Sequence, residues 1–149
     1  MTQRLHHMGI TVSDTDTAVA FYSALTGGEV VGPLIKSGPA VEAVTGYPGV
    51  HILLTFISFA GGGAVIELAE YRNGSGERID PDTGKAGSAH PAILVDNIDA
   101  TLARMAAMGV HATSEPKVAT DGPMEGYRYV YLIGPDSVRV ELLEAPHAD

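Results

Sequence analysis

The chain contains an internal repeat, and this feature constrains its fold more than any other. The segment MGITVSDTD is echoed by PAILVDNID, and a histidine precedes each copy: His7 and His90, which lie 83 residues apart. The segment IELAE around Glu67 is echoed by VELLE around Glu141, 74 residues later. Self-similarity of this kind indicates two copies of one structural unit. Each half of the chain therefore opens with a histidine and closes with a glutamate.

The opening segment of each half predicts a short strand that runs into a helix. Polar residues cap such helices and glycines end them: we expect Ser13 or Asp14 and Gly27 in the first half, and Asp96 or Asn97 and Gly109 in the second. An apolar stripe recurs on each helix and is assigned to the core: Ala18, Phe21, Tyr22 and Leu25, then Ile98, Leu102, Met105 and Met108.

β-rich runs follow each helix. We expect strands at 28–34, 50–59 and 64–71 in the first half, and at 109–113, 127–133 and 137–143 in the second. The predicted fold class is α+β, with two βαβββ modules. A chain of 149 residues suits a single domain, residues 1–149, made of module 1 (4–71), a linker rich in Gly, Asp and Pro (72–88) and module 2 (89–145). The insertion at 36–49 has no counterpart in the second half, and we expect it to cover the site as a loop or short helix.

Strand alternation makes the two repeated glutamates candidates for chemistry. The sequence neighbours of Glu67 are apolar and point to the other face of the strand. A carboxylate on an apolar strand is costly to bury without a metal, a cation or hydrogen bonds. Glu141 repeats this pattern, although Arg139 shares its face and is an alternative ion-pair partner. If pseudo-twofold symmetry brings the halves together, His7, Glu67, His90 and Glu141 form a divalent metal site.

His6 is the alternative to His7 as the first imidazole ligand. A single histidine at the start of a strand is more often a surface residue, but recurrence in both halves favours a ligand. His6 shares its face with Met8 and Ile10, which we expect to pack under the helix. His7 shares its face with Gly9, which leaves room for a ligand, so His7 is favoured.

Composition restricts the remaining classes of function. The chain has no cysteine, which excludes disulfides, thiolate metal sites and a cysteine nucleophile. A net charge of −9 argues against a nucleic-acid partner. No stretch approaches the roughly 18 apolar residues of a membrane helix, and the first residues lack the apolar core of a signal peptide. We therefore expect a cytoplasmic protein with a small-molecule substrate and no membrane or nucleic-acid partner.

These residues resemble the vicinal oxygen chelate superfamily, which includes glyoxalase, bleomycin-resistance and dioxygenase-like proteins, and the pattern is nearest to glyoxalase I and methylmalonyl-CoA epimerase. The resemblance covers nearly the whole chain and is carried by HMGITVSD, IEL, GSAH to VDNID, and YLIGPD to VEL. It implies two modules that form a cupped mixed sheet around a metal site, where substrates chelate the metal through vicinal oxygens. Glutathione is not expected, because the chain has no tryptophan for the segment that follows the first glutamate ligand of glyoxalase I.

The resemblance implies a metal-dependent lyase, isomerase or epimerase. One divalent ion (Zn, Ni, Co, Mn or Fe(II)) would polarise a substrate carbonyl, and Glu141 or Glu67 would move the proton on the adjacent carbon. A non-haem Fe(II) dioxygenase and a metal-free protein that binds a drug or metabolite are the alternatives. The candidates for orienting a polar group of the substrate are Tyr127, Arg128, Tyr129 and Arg139. The alternative for each of them is an ordinary strand residue without a role in binding.

We predict a homodimer. Modules of this superfamily commonly pair across subunits as well as within them, and short βαβββ units leave open sheet edges that favour association. Sedimentation equilibrium at micromolar concentration is expected to give twice the monomer mass of 15.5 kDa. A species at the monomer mass would contradict this expectation.

Overall fold

The computed structural model describes residues 2–146, so Met1 and residues 147–149 of the predicted domain lie outside the described residues. The chain divides into two compact units, Met1–Ile79 and Asp80–Asp149. Their boundary falls inside the predicted linker. Each unit contains one four-stranded mixed sheet.

Unit 1 follows the predicted βαβββ order with one added helix. Its elements are β1 (His7–Thr11), α1 (Thr15–Thr26), β2 (Gly27–Ser37), α2 (Pro39–Thr45), β3 (His51–Phe59) and β4 (Val65–Arg72). The strand order is β1-β4-β3-β2, in which β1 and β4 are parallel and the other pairs are antiparallel. Helix α1 packs on β3 and β4, and its whole predicted apolar stripe is buried.

Unit 2 repeats this topology. Its elements are β5 (Ala92–Leu94), α3 (Ile98–Ala106), β6 (Lys117–Val118), β7 (Arg128–Ile133) and β8 (Arg139–Glu144), with short 3-10 turns at Gly122–Met124 and Pro135–Ser137. The order β5-β8-β7-β6 again contains one parallel pair, β5 with β8. The α+β class and the two βαβββ units are thus confirmed.

The strand predicted at 109–113 was wrong. In that segment only Ala112 makes a bridge, to Leu132, and the strand itself is the two-residue β6 at Lys117–Val118. The intervening residues 113–116 (TSEP) are polar and end in proline, which lacks the N–H that a ladder needs. The second β-strand of this unit is therefore much shorter than β2 of unit 1.

The observed helix ends match the predicted ones at three positions and differ at one. Asp14 and Asn97 are the N-caps, each accepting a hydrogen bond at 2.8 Å from a backbone N–H of the first turn. Gly27 ends α1 in the left-handed conformation, as predicted. Helix α3 ends at Ala106, before the predicted Gly109, so Met108 is 45% exposed and lies outside the core stripe.

The insertion of unit 1 forms α2 and lies on the face of β4 that carries Glu67. Val41 of α2 packs against a buried cluster that contains Ala69, and Tyr71 packs against the same cluster. Both residues are separated from Glu67 by an even number of positions, so they share its face. The predicted short helix therefore covers one end of that face.

A second repeated glutamate fastens each helix to its closing strand. Glu70 Oε2 accepts hydrogen bonds from the backbone N–H of Thr15 at 3.0 Å and from its hydroxyl at 2.7 Å. Glu144 Oε2 accepts one from the backbone N–H of Ile98 at 2.5 Å. Thr15 and Ile98 are the first residues of α1 and α3, where backbone N–H groups lack partners within the helix and the helix dipole favours negative charge.

Arg128 completes the anchor in unit 2. Its guanidinium donates to both carboxylate oxygens of Asp99 at 2.9 Å and to Glu144 Oε1 at 3.3 Å. These bonds lower the pKa of the Asp99 carboxyl. Because its donors are engaged on the α3 side of the sheet, Arg128 does not orient a substrate as the sequence suggested.

In the described part of the chain, no helix is long and apolar enough to span a membrane.

We predict that Glu70→Gln lowers the free energy of unfolding by about 1–2 kcal/mol at pH 7, because a charged acceptor is lost. Hydrogen bonds from Thr15 hold the pKa of Glu70 below its ordinary value against the opposing effect of burial. A lowered carboxylate pKa stabilises the fold at neutral pH, and this stabilisation is lost as the pH falls through the folded-state pKa. The difference from the unsubstituted protein should therefore shrink in acid.

Urea unfolding at a series of pH values measures this effect. Glu77→Gln is the matched control, since the Glu77 carboxylate is exposed and lies outside the anchor. An equal loss for Glu70→Gln at every pH would show that the charge of Glu70 does not act through α1.

Candidate functional site

In unit 1, His7 and Glu67 lie side by side on one face of the sheet. The parallel pairing of β1 with β4 places Gly9 in register with Glu67, and His7 precedes Gly9 by two residues. His7 Nε2 lies 3.7 Å from Glu67 Oε1. A Cβ at Gly9 would lie 3.8 Å from the same oxygen, so a larger side chain there would cover the carboxylate.

Unit 2 reproduces this arrangement at the same register. Ala92 of β5 pairs with Glu141 of β8, and His90 precedes Ala92 by two residues. His90 Nε2 lies 3.3 Å from Glu141 Oε2. The backbone N–H of Glu141 donates to the carbonyl of Pro91 at 2.9 Å, which fixes the strand beside the histidine. The repeat in the sequence is therefore a repeat of one His–Glu pair.

The donor atoms of each pair fit a divalent metal ion. Two atoms bound about 2.1 Å from one ion and separated by 90–110° lie roughly 3.0–3.4 Å apart, close to the observed 3.3 and 3.7 Å. The histidines are 39% and 33% exposed and the glutamates 21% and 19%, so a ligand can reach them. Within residues 2–146, no three His, Asp or Glu side chains come together as a metal-binding group. A single four-residue site therefore stays a prediction.

His6 does not pack under the helix as expected. It precedes β1 and is exposed, and its Nδ1 lies 2.8 Å from Nδ1 of His7. The two rings meet edge to face with centroids 5.1 Å apart. The nitrogen of His7 that faces Glu67 is Nε2, on the other side of the ring from His6.

Tyr131 belongs to this site, although its sequence context does not single it out. It pairs with Glu141 across β7 and β8, and its hydroxyl lies 3.4 Å from His90 Nε2. Burial raises the pKa of Tyr131, and the charges of Glu141 and Tyr129 add to this effect, so the phenol is protonated at neutral pH. The equivalent residue of unit 1, paired with Glu67, is Phe56. The signal that identifies Tyr131 and Phe56 is their position directly opposite the two glutamates in the strand register.

A cavity of about 510 Å³ opens beside Glu141 in unit 2. This volume is typical of sites for small ligands. The cavity is lined by residues of β6, β7, β8 and the segment that joins β6 to β7: Val118, Ala119, Thr120, Asp121, Met124, Tyr127, Tyr129, Glu141 and Leu143. Glu141 therefore faces a space in which a substrate can bind.

The model of the Glyoxalase/Bleomycin resistance protein/Dioxygenase superfamily matches residues 4–142. The chain is 33% identical over 146 residues to a 2-epi-5-epi-valiolone epimerase from Actinomyces sp., covering 95% of this chain and 79% of the relative. It is 31% identical over 145 residues to the uncharacterized protein YwbC from Bacillus subtilis (strain 168), covering 97% and 99% of the two chains.

Solved structures share the fold at lower identity. A glyoxalase family protein from Bacillus cereus superimposes with a TM-score of 0.81 at 20% identity, covering 99% of this chain and 97% of the other. The fosfomycin resistance protein FosX from Listeria monocytogenes, whose crystal structure is a complex with Mn(II) and a sulfate ion, gives a TM-score of 0.59 at 20% identity, with coverages of 97% and 94%.

We predict that His7→Ala, His90→Ala and Glu141→Ala each reduce metal affinity by tenfold or more, since each removes a donor atom. Elemental analysis after native purification and dialysis measures the metal that is retained. His6→Ala and His111→Ala are the controls and should retain it. Full metal occupancy in His90→Ala would rule out the four-residue site.

Proposed function

Since the chain belongs to the Glyoxalase/Bleomycin resistance protein/Dioxygenase superfamily, we propose that it is a divalent-metal-dependent isomerase or epimerase that moves a proton next to a substrate carbonyl. The observation that carries the proposal is the His–Glu pair that recurs at the same strand register in both units. The Actinomyces relative, named as an epimerase, supports the reaction class. The Mn(II) complex of FosX supports a divalent ion in this fold.

His7, Glu67, His90 and Glu141 would hold one ion. Two neutral imidazoles and two carboxylates balance the charge of a divalent cation, and Zn, Ni, Co, Mn and Fe(II) all accept such donors. When bound, the ion is a Lewis acid that polarises a carbonyl and acidifies the adjacent C–H. The protein's own side chains would then move the proton and stabilise the developing charge.

We assign the proton transfer to Glu141. Glu67 and Glu141 are both carboxylates of the candidate site, but Glu141 lines the cavity in which a substrate has room. An oxygen of its carboxylate would take the proton from the carbon next to the carbonyl, because a general base must lie within hydrogen-bond reach of that proton. Return of a proton to the opposite face completes an epimerisation, and Glu67 is the second carboxylate available for that step.

Tyr131 would stabilise the charge that develops on the substrate oxygen. Its phenol is protonated at neutral pH, as an ordinary tyrosine is, and burial raises its pKa further. An imidazole nitrogen that binds a metal has no lone pair left for Tyr131, so the hydroxyl can then donate to the substrate. A donor aimed at developing negative charge is among the larger contributions to catalysis.

We predict that the protein exchanges the α-proton of a small hydroxy ketone, such as D-erythrulose, with solvent deuterium under nitrogen as readily as in air. Glu141→Gln is expected to slow this exchange by about 100-fold or more, because the amide keeps the volume but loses the basicity. Proton NMR follows the exchange, and metal content is measured on the same samples to separate loss of the base from loss of the ion.

Glu115→Gln is the control, since it removes one exposed carboxylate of unit 2 outside the cavity. Strict dependence on Fe(II) with stoichiometric O₂ uptake, and tolerance of Glu67→Gln, would instead favour the dioxygenase. Deuterium exchange that is unchanged in Glu141→Gln would remove Glu141 from the role of base.

A further inference from the structure

We infer that the substrate is an uncharged, polyhydroxylated carbonyl compound, and that the wall of the cavity beside Glu141 selects it over phosphorylated molecules of similar size. The inference that the substrate contains a carbonyl rests on the proposed function. The inference that it carries hydroxyl groups and no charge comes from the residues that line the cavity.

Four polar side chains of the wall are free to bind a ligand. Thr120, Asp121, Tyr127 and Tyr129 line the cavity, and none of them has a hydrogen-bond partner among the residues that the structure describes. Three are hydroxyls, which both donate and accept, and the fourth is an acceptor. A set of this kind matches a ligand that carries several hydroxyl groups, and sites built to bind hydroxyls reject analogues that lack them.

The charge of the wall disfavours anions. The lining residues include two carboxylates, Asp121 and Glu141, and no lysine or arginine. Arg128 is engaged by Asp99 and Glu144. Arg139 shares a strand face with Glu141 but does not line the cavity. A phosphate in this cavity would lie near the charge of Asp121, which no lysine or arginine of the wall balances, whereas a hydroxyl would not meet this repulsion. The charge of a divalent ion held by Glu67 and Glu141 would be balanced by those two carboxylates, so Asp121 would keep its charge unbalanced.

The segment that carries these groups is held in one shape by its own backbone. Ala119 N–H donates to the carbonyl of Tyr127, and Gly126 N–H donates to that of Ala119, both at 2.9 Å. Gly126 has a φ of 85°, and a Cβ there would lie only 2.9 Å from Pro146. The backbone that carries the polar groups is therefore ordered before a ligand arrives, which favours binding because less ordering of the main chain is required.

Two probes that differ only in a phosphate test this inference. D-erythrulose and D-erythrulose 4-phosphate share one carbon chain, and their dissociation constants for the zinc-loaded protein are measured by ligand-observed NMR titration. We expect D-erythrulose to bind about tenfold more tightly than D-erythrulose 4-phosphate, because the phosphate would place an unpaired negative charge near the carboxylate of Asp121. Tyr129→Phe should weaken D-erythrulose about three- to tenfold, the usual range for one lost hydrogen bond.

Asp121→Asn is the decisive variant. It should reduce the preference for D-erythrulose several-fold, mainly by strengthening the phosphate ester, because the repelling charge is gone while an acceptor remains. Glu115→Gln removes a charge of the same unit outside the cavity and should leave the ratio unchanged. Thermal unfolding of each variant confirms that it is folded.

Equal binding of the two probes, binding of neither at millimolar concentration, or an unchanged ratio in Asp121→Asn would overturn the inference. Failure of the proposed function gives a different result. In that case the preference for D-erythrulose is present, but neither probe exchanges its α-proton. If the function holds and the inference fails, both probes exchange and bind equally.

Discussion

The bond between a strand carboxylate and the first N–H of a helix holds each unit in register, and the candidate site depends on it. Glu70 reaches Thr15 on the α1 side of β4, while Glu67, three residues earlier, faces the opposite side. A shift of one residue in a strand turns every side chain to the other face. Such a shift would break the bond to Thr15 and bury Glu67 against α1. The anchor thus keeps Glu67 beside His7.

Much of this arrangement could be predicted from the repeat. The two histidines and two glutamates recur in the sequence, and the strand alternation that places them on one face is a property of any β-strand. Tyr131 could be found only from the pairing of β7 with β8, which the sequence does not state directly. The role of Glu144 was also hidden, because VELLE contains two glutamates and the pattern does not say which one faces a helix. The strand was predicted at 109–113 and not at Lys117–Val118, because Val110 and Ala112 alternate with polar residues as they would in a strand.

The two units differ on the faces that carry their His–Glu pairs. In unit 1, α2 packs against the residues that follow Glu67 on its face, and Phe56 stands beside the glutamate. In unit 2, the equivalent face borders a cavity, and Tyr131 stands in the place of Phe56. The pairs themselves have kept the same register. The polar cavity suits Glu141, the proposed base, to contact with substrate.

The close spacing of the two glutamates in IELAE and VELLE also bears on how such a protein can evolve. One pentapeptide contains both the carboxylate of the site and the carboxylate that fastens the helix. Duplication of a single module would therefore copy one carboxylate of the candidate site together with the carboxylate that fastens the helix beside it. Later substitutions on the neighbouring strand and in the connecting segments can alter one copy alone. A lineage built in this way can acquire new substrates while its repeated His–Glu pairs stay in place.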